Sequence, residues 1–415
     1  MKKILIEDIS YEGSGVGRLD GKVVFVPKTL IGETVEAEIV KENSKFAQAK
    51  VVNIVDSSSK RKEPQCPYYD KCGGCDLQHC GYDHEIEIKK NILKRELSKI
   101  GYVGEIDVVE SSRRYGYRNK IKLEVRSGRL GYFKAKSNEF FEIKSCIIAT
   151  EQINKVIEIL SEYLKAVEYK TLKHIYIKQV DDNIGVCFLF DKNSQKYGVK
   201  FKKNEKLSDF SIFFAYGEVL ESNKTKVFCV QGEEKLIKKY DEYDFEIDIS
   251  AFNQINDDVA EKMYAYVLQN AERMRVVNAY SGQGLLTALL SKYVKFVYGI
   301  EYQYSAHKAA EKLTEQLSNV ENICGRVEEK ISQVLLRDRI DMIILDPARE
   351  GCAKVVLDQI CLKNINKLMY ISCNFSTLVR DLAILKDFYD IEKIKIFDMF
   401  PNTANMETVV LLQRK

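Results

Sequence analysis

The stretch VVNAYSGQGLL, residues 276–286, runs from an apolar, β-branched segment through a glycine turn into a leucine-rich helix. Val276 and Val277 suit a strand buried on both faces, and Gly282 and Gly284 let the backbone turn sharply and approach a ligand lying over the strand ends. Working outward, a helix pattern over 257–274 precedes this strand. After it come strand FVYGIE (296–301), helix SAHKAAEKLTEQL (305–317), strand DMIILDPAREG (341–351), strand LMYISCN (368–374) and helix TLVRDLAILKDFY (377–389). Alternation with short links predicts a parallel sheet covered on both faces, a Rossmann-like α/β domain over 256–415. IEKIKIFDMF and METVVLLQRK add two further strands.

Upstream the period changes. KVVFVP, ETVEAEIV and QAKVVNIV are short β-rich runs separated by turns such as YEGSGVG and LDGK, which predicts a small five-stranded, OB-like barrel over 1–58. The polar DSSSKRKEP reads as a linker. A mixed α+β central domain over 59–255 then opens with a cysteine-rich segment and a helix near 83–100. At 415 residues, about two to three domains are expected, and neither an internal repeat nor a low-complexity tract is visible.

No apolar run approaches the roughly 20 residues needed to cross a bilayer, and MKKILIEDIS meets a charge too soon for a signal peptide, so no membrane association and a cytoplasmic location are expected. Eleven cysteines, an odd number, argue for thiol chemistry or metal ligation over a disulfide framework. Net charge is only +3, from 64 basic and 61 acidic residues, so a polyanion must be held by local patches such as 89–97 and 192–206.

CPYYDKCGGC places Cys66, Cys72 and Cys75 around two glycines, a spacing suited to a metal ion or an iron–sulfur cluster. By spacing alone the fourth ligand is either Cys80 or Cys146, and His79 and His84 keep zinc open. In the α/β region, Glu301 ends the strand after the glycine turn, where an acid can accept ribose hydroxyls. The full G-x-G-x-x-G is missing, which favours S-adenosylmethionine over a dinucleotide. Asp346 and Arg349, in LDPAREG, are expected in the crevice above the sheet.

Cys373 ends a strand, with Asn374, Ser376 and Thr377 starting a helix whose N-terminal field would favour a thiolate. A nucleophilic thiol beside a methyl donor has a specific use. Adding it to C6 of uracil makes C5 electron-rich enough to take a methyl group, after which a separate base must remove the C5 proton. Glu407, near the start of the last strand, is the candidate base.

Taken together these residues resemble the bacterial RNA uracil-5-methyltransferases, above all those acting on 23S ribosomal RNA, and the likeness covers essentially the whole chain. EGSGVGRLDGKVVFVPKTLIGETV resembles the family's N-terminal TRAM domain. CPYYDKCGGCDLQH resembles its iron–sulfur motif, which implies a 4Fe–4S cluster held by Cys66, Cys72, Cys75 and Cys146. The resemblance further implies that Gln254, Tyr280, Gly282, Glu301 and Asp346 line the S-adenosylmethionine pocket, that Cys373 is the nucleophile and that Glu407 abstracts the proton. It departs from the family's pattern at Asn278, where an acid is usual, at Phe375, where proline is common, and at Asn405, where histidine usually stands.

The expectation is thus a monomeric enzyme making 5-methyluridine in 23S rRNA, on a uridine drawn out of its stack. Tyr115, Tyr117, Arg118 and Lys120 are candidate RNA contacts. One rival is the same chemistry on tRNA. Another is a non-catalytic RNA-binding protein that keeps the barrel and the cluster.

Overall fold

The computed structural model describes residues 1–415 except 198, 223, 241 and 242, and gives no side-chain placement for 196 and 197. Part of the basic run 192–206 therefore lies outside the described residues. The first five strands, β1 (Lys2–Ile9), β2 (Ser14–Leu19), β3 (Lys22–Pro27), β4 (Thr34–Glu42) and β5 (Phe46–Asp56), close a barrel in the order β1-β2-β3-β5-β4. Period-two alternation turns Ile4 and Ile6, Val24 and Val26, Val35 and Ala37, and Ala47 and Ala49 inward. Polar neighbours stay in water.

After the linker come α1 (Tyr82–Ser98) and the short β6 (Asp107–Val109). A seven-stranded sheet follows, built from β7 (Lys120–Arg126), β8 (Arg129–Phe133), β9 (Phe140–Glu142), β10 (Leu172–Val180), β11 (Asn183–Phe190), β12 (Ser211–Tyr216) and β13 (Lys226–Gln231), in the order β13-β12-β11-β10-β7-β8-β9. Helix α2 (Glu151–Ala166) covers it. Ile153, Val156, Ile157, Leu160 and Leu164 recur at helical spacing on its buried face, and Thr150 caps it by accepting from the Ile153 N–H at 3.3 Å. A hairpin of β14 (Leu236–Tyr240) and β15 (Tyr243–Ile247) leads to the last region.

That region alternates as its sequence indicates: α3 (Asp257–Ala271), β16 (Arg275–Ala279), α4 (Leu285–Ser291), β17 (Phe296–Glu301), α5 (Tyr304–Leu313), β18 (Val320–Cys324), α6 (Val327–Arg337), β19 (Met342–Leu345), α7 (Lys354–Leu362), β20 (Lys367–Ser372), α8 (Phe375–Leu385), β21 (Tyr389–Phe397) and β22 (Glu407–Arg414). The sheet order is β18-β17-β16-β19-β20-β22-β21-β6, with β16 to β20 parallel and β22 antiparallel between β20 and β21. Its far edge is β6, contributed by the middle of the chain. Continuous apolar strands fill both faces: Ile343, Leu345, Leu368 and Tyr370 join one core, and Met342, Ile344, Met369 and Ile371 the other.

Strand order reverses between β16 and β19, whose last paired residues are Ala279 and Leu345. Helices leave the sheet in opposite directions there and open a crevice beyond the strand ends. Tyr280 and Asp346 are the next residues on each strand. Among the described residues no helix is long and apolar enough to cross a membrane.

Candidate active site

The ladder between β20 and β22 ends by pairing Ser372 with Thr408, so Cys373 and Glu407 emerge side by side at one end of these two interior strands. Asp346 and Arg349 reach the same place from the end of β19. Their charges act on one another: the Cys373 thiol is pushed up to about 11, first by burial, then by the negative charge of Glu407 and, more weakly, of Asp346. The positive charge of the Arg349 guanidinium beside it opposes this rise. Burial therefore outweighs the helix field expected to favour a thiolate, and the half-buried thiol rests protonated. Glu407 is 4% exposed and is driven well above the usual carboxylate range, mainly by burial and then by Asp346, while burial raises Asp346 to about 7. Burial thus favours the protonated form of both carboxyls, and Asp346 exchanges its proton near neutrality.

Helix α8 begins immediately after the thiol because Asn374 caps it, its side-chain oxygen accepting from the Ser376 N–H at 3.1 Å. The same side chain donates to the Arg349 carbonyl at 2.9 Å, and the Thr377 hydroxyl donates to that carbonyl at 3.1 Å. The nucleophile loop and the loop after β19 are thereby held as one body.

At the turn after β16 Gly282 has a φ of +57°, and a Cβ placed on it would meet nothing within 4 Å, so the glycine turn borders open space. Gly284 behaves differently. A Cβ there would come within 2.6 Å of the Ala310 side chain, so this glycine serves the packing of the turn onto α5 and not the approach of a ligand. Both oxygens of Glu301 accept from backbone N–H groups, of Gly282 at 2.9 Å and Gln303 at 2.7 Å, and keep acceptor capacity for hydroxyl donors. Tyr280 takes a left-handed φ of +63°, and its buried hydroxyl has no hydrogen-bond partner among the described residues. The Gln254 side chain makes no hydrogen bond there, while its carbonyl accepts from Asn119 Nδ2 at 3.0 Å. Asn278, buried, donates to Thr287 Oγ1 at 2.9 Å. Open space, an orphaned hydroxyl and a carboxylate with spare lone pairs suit the ribose and amino-acid parts of S-adenosylmethionine.

Cys66, Cys72, Cys75 and Cys146 converge from two distant segments, and the charge of each bears on its neighbours. Among the described residues no group of three or more His, Cys, Asp or Glu side chains is placed to hold a metal ion; four cysteines drawn toward one another are nevertheless the donor type that an iron–sulfur cluster takes. The backbone supports them: Asn154 brackets Cys146, accepting from its N–H at 2.8 Å and donating to its carbonyl at 3.1 Å, and the Gly74 N–H donates to Cys72 Sγ at 3.3 Å. The other candidates are engaged elsewhere. Cys80 is buried with its thiol on the Leu77 carbonyl, His79 Nδ1 meets the Tyr69 hydroxyl at 2.7 Å, and His84 pairs with Glu87.

Of the candidate RNA contacts, Tyr117 is buried with its hydroxyl on the Pro401 carbonyl at 2.9 Å, and Lys120 pairs with Glu221 at 2.7 Å. Tyr115 and Arg118 remain partly exposed. Two features of the site are not foreshadowed by any motif: Tyr264, whose hydroxyl is raised by burial and by the charges of Asp346 and Glu407, and Tyr11 of the barrel, whose ring meets Phe375 edge-on at 6.3 Å.

A family model described as tRNA (Uracil-5-)-methyltransferase matches residues 81–415, and a TRAM domain model matches residues 2–52. An uncharacterized RNA methyltransferase of Clostridium acetobutylicum is 32% identical, over 99% of this chain and 96% of its own. One from Staphylococcus aureus is 29% identical, over 99% and 97%. Among solved structures, Pyrococcus abyssi tRNA (uracil-54, C5)-methyltransferase in complex with S-adenosyl-L-homocysteine shares the fold with a TM-score of 0.78, at 24% identity over 99% of this chain and 100% of that one.

Proposed function

This chain belongs to the tRNA (uracil-5-)-methyltransferase family and carries a TRAM domain before it, and on that premise we propose that it methylates C5 of a uridine in 23S rRNA, with Cys373 as nucleophile and Glu407 as base. The observation that carries the proposal is the meeting of Cys373, Arg349, Asp346 and Glu407 at one end of the sheet's central strands, on the side of the open glycine turn. S-adenosylmethionine, when bound, supplies a methyl group on a positively charged sulfur. Cys373 loses its proton to solvent and its sulfur bonds to C6 as the C5=C6 π electrons shift onto C5 and the neighbouring O4; C5 would then take the methyl group as the methyl–sulfur bond breaks, both of its electrons staying on the donor's sulfur. Glu407, once its own proton has left to solvent, takes the C5 proton; the electrons of that C–H bond restore C5=C6 and expel the thiolate. Arg349, which opposes the rise in the thiol's pKa, steadies the thiolate.

We assign Gln254, Tyr280, Gly282, Glu301 and Asp346 to the methyl donor, and Cys66, Cys72, Cys75 and Cys146 to a 4Fe–4S cluster with a structural role. Residues 1–58, 59–255 and 256–415 are taken as the barrel, the central domain and the catalytic domain. The name of the Pyrococcus neighbour and the family's description favour a second reading, tRNA as substrate. Incubation with labelled donor and separate rRNA and tRNA pools decides between them: label in 23S rRNA supports the first, label in tRNA alone replaces it with the second. No label in either pool removes the enzymatic reading.

A further inference from the structure

The turn joining β21 to β22, residues 398–406, delivers Glu407, and it is fastened by parts of the chain that lie far away in sequence. Asn402 is its centre. It is fully buried with a left-handed φ of +70°. Its carbonyl accepts from the N–H groups of Asp76 and Leu77 at 2.9 and 3.0 Å, directly after Cys75. Its own N–H donates to Glu85 Oε1 of α1 at 2.6 Å, and its side-chain Nδ2 donates to the Arg114 carbonyl at 2.5 Å. One residue earlier, the Pro401 carbonyl accepts from the buried Tyr117 hydroxyl.

We infer that Asn402 is a positioning residue for Glu407, through which the cysteine-bearing loop and α1 fix where the base stands. The inference rests on the reading of Glu407 as the C5 base. A turn in left-handed backbone is held only when its surroundings over-determine it, and here four hydrogen bonds from three segments do so. Glycine and asparagine adopt this conformation readily; alanine does not. Alanine at 402 also removes the donor to Arg114. The turn relaxes and the carboxyl moves away from the C5 proton, whereas Cys373, on the loop after β20, keeps its place. Methyl transfer to C5 then proceeds and release stalls.

The experiment uses the full-length protein with its RNA substrate and labelled donor, read by denaturing gel for a covalent protein–RNA adduct and by release of methylated RNA. Asn402→Ala is expected to accumulate methylated adduct and to release product slower by on the order of a hundredfold. Asn402→Gly, which keeps the backbone conformation, is expected to recover most of that loss. Release at the parental rate by Asn402→Ala, or loss of activity with no adduct while donor binding stays parental, overturns the inference. If the alanine variant does not fold, Tyr117→Phe takes its place: adduct supports the inference, and parental release without adduct overturns it. Glu407→Gln is run alongside. Should it release product freely, the base assignment itself fails; should it trap adduct while Asn402→Ala does not, only the positioning role fails.

Discussion

Asn374 joins the two loops of the site, its side-chain nitrogen 2.9 Å from the Arg349 carbonyl and its oxygen 3.1 Å from the Ser376 N–H. One side chain thus caps the helix behind the nucleophile and ties it to the neighbouring strand. Asn374→Ala is expected to cost about 1 kcal/mol of stability from the cap alone and to slow adduct formation, because Cys373 and Arg349 lose their fixed relation. Urea denaturation measures the first, and single-turnover labelling the second.

The raised thiol makes the reaction pH-dependent in a stated direction. The reactive form is the thiolate, and with Cys373 pushed up to about 11 its fraction grows roughly tenfold per pH unit below that value. The rate of adduct formation at saturating RNA should rise across pH 7 to 9 with a log–log slope near one. Arg349→Met removes the group that opposes the rise, so the rate at any pH in that range should fall further. A flat profile in the parent protein refutes the raised thiol.

Asp346 carries a folding cost. Its carboxyl is raised from 3.8 to about 7, so between those values the folded protein keeps a proton that the unfolded chain has released. Stability contributed by this group therefore falls as pH rises through that window and stays low above it. Asp346→Asn should raise stability at pH 8 by at most roughly 4 kcal/mol and leave it unchanged near pH 3, measured by urea denaturation at the two pH values.

Lys89 is fully buried between Glu85 at 2.9 Å and Asp398 at 2.5 Å, and also donates to the Phe400 carbonyl at 3.2 Å. Lys89→Met leaves the buried Asp398 without a counter-charge, while Glu85 keeps Arg114 at 3.0 Å, and should cost about 3–5 kcal/mol. Thermal melts of the parent protein and the variant test this.

Protein purified without oxygen is expected to contain iron and acid-labile sulfide in equal amounts and to absorb visible light. Cys146→Ser should lose that absorbance, and Cys80→Ser should keep it, because the Cys80 thiol is spent on the Leu77 carbonyl.

Much of this architecture is legible in the sequence because it depends on neighbours along the chain. Alternation in 22–55 gives the barrel, and the apolar runs at 276–279, 342–345 and 368–372 give the buried parallel strands. What escapes is what depends on distant segments meeting. Tyr117 looks like an exposed aromatic among basic residues, yet its hydroxyl lies on Pro401, 284 positions away. Gly284 looks like its partner Gly282 until α5 is packed against it. The state of Cys373 escapes for the same reason: a cap is visible in the sequence, but the buried carboxyls that oppose it come from other strands. Asn402 offers one local signal, an asparagine in a proline turn, and its four partners offer none.

The pairing of β6 with β21 has a consequence for anyone dividing the protein. Cut at residue 256, the C-terminal fragment would bare the backbone of Lys395, Ile396 and Phe397, the part of β21 that β6 covers, as an unsatisfied hydrogen-bonding rim. Such rims recruit other chains, so the fragment would self-associate unless residues 107–109 travelled with it. The three-residue graft acts as a stopper against clumping as much as a piece of the catalytic scaffold.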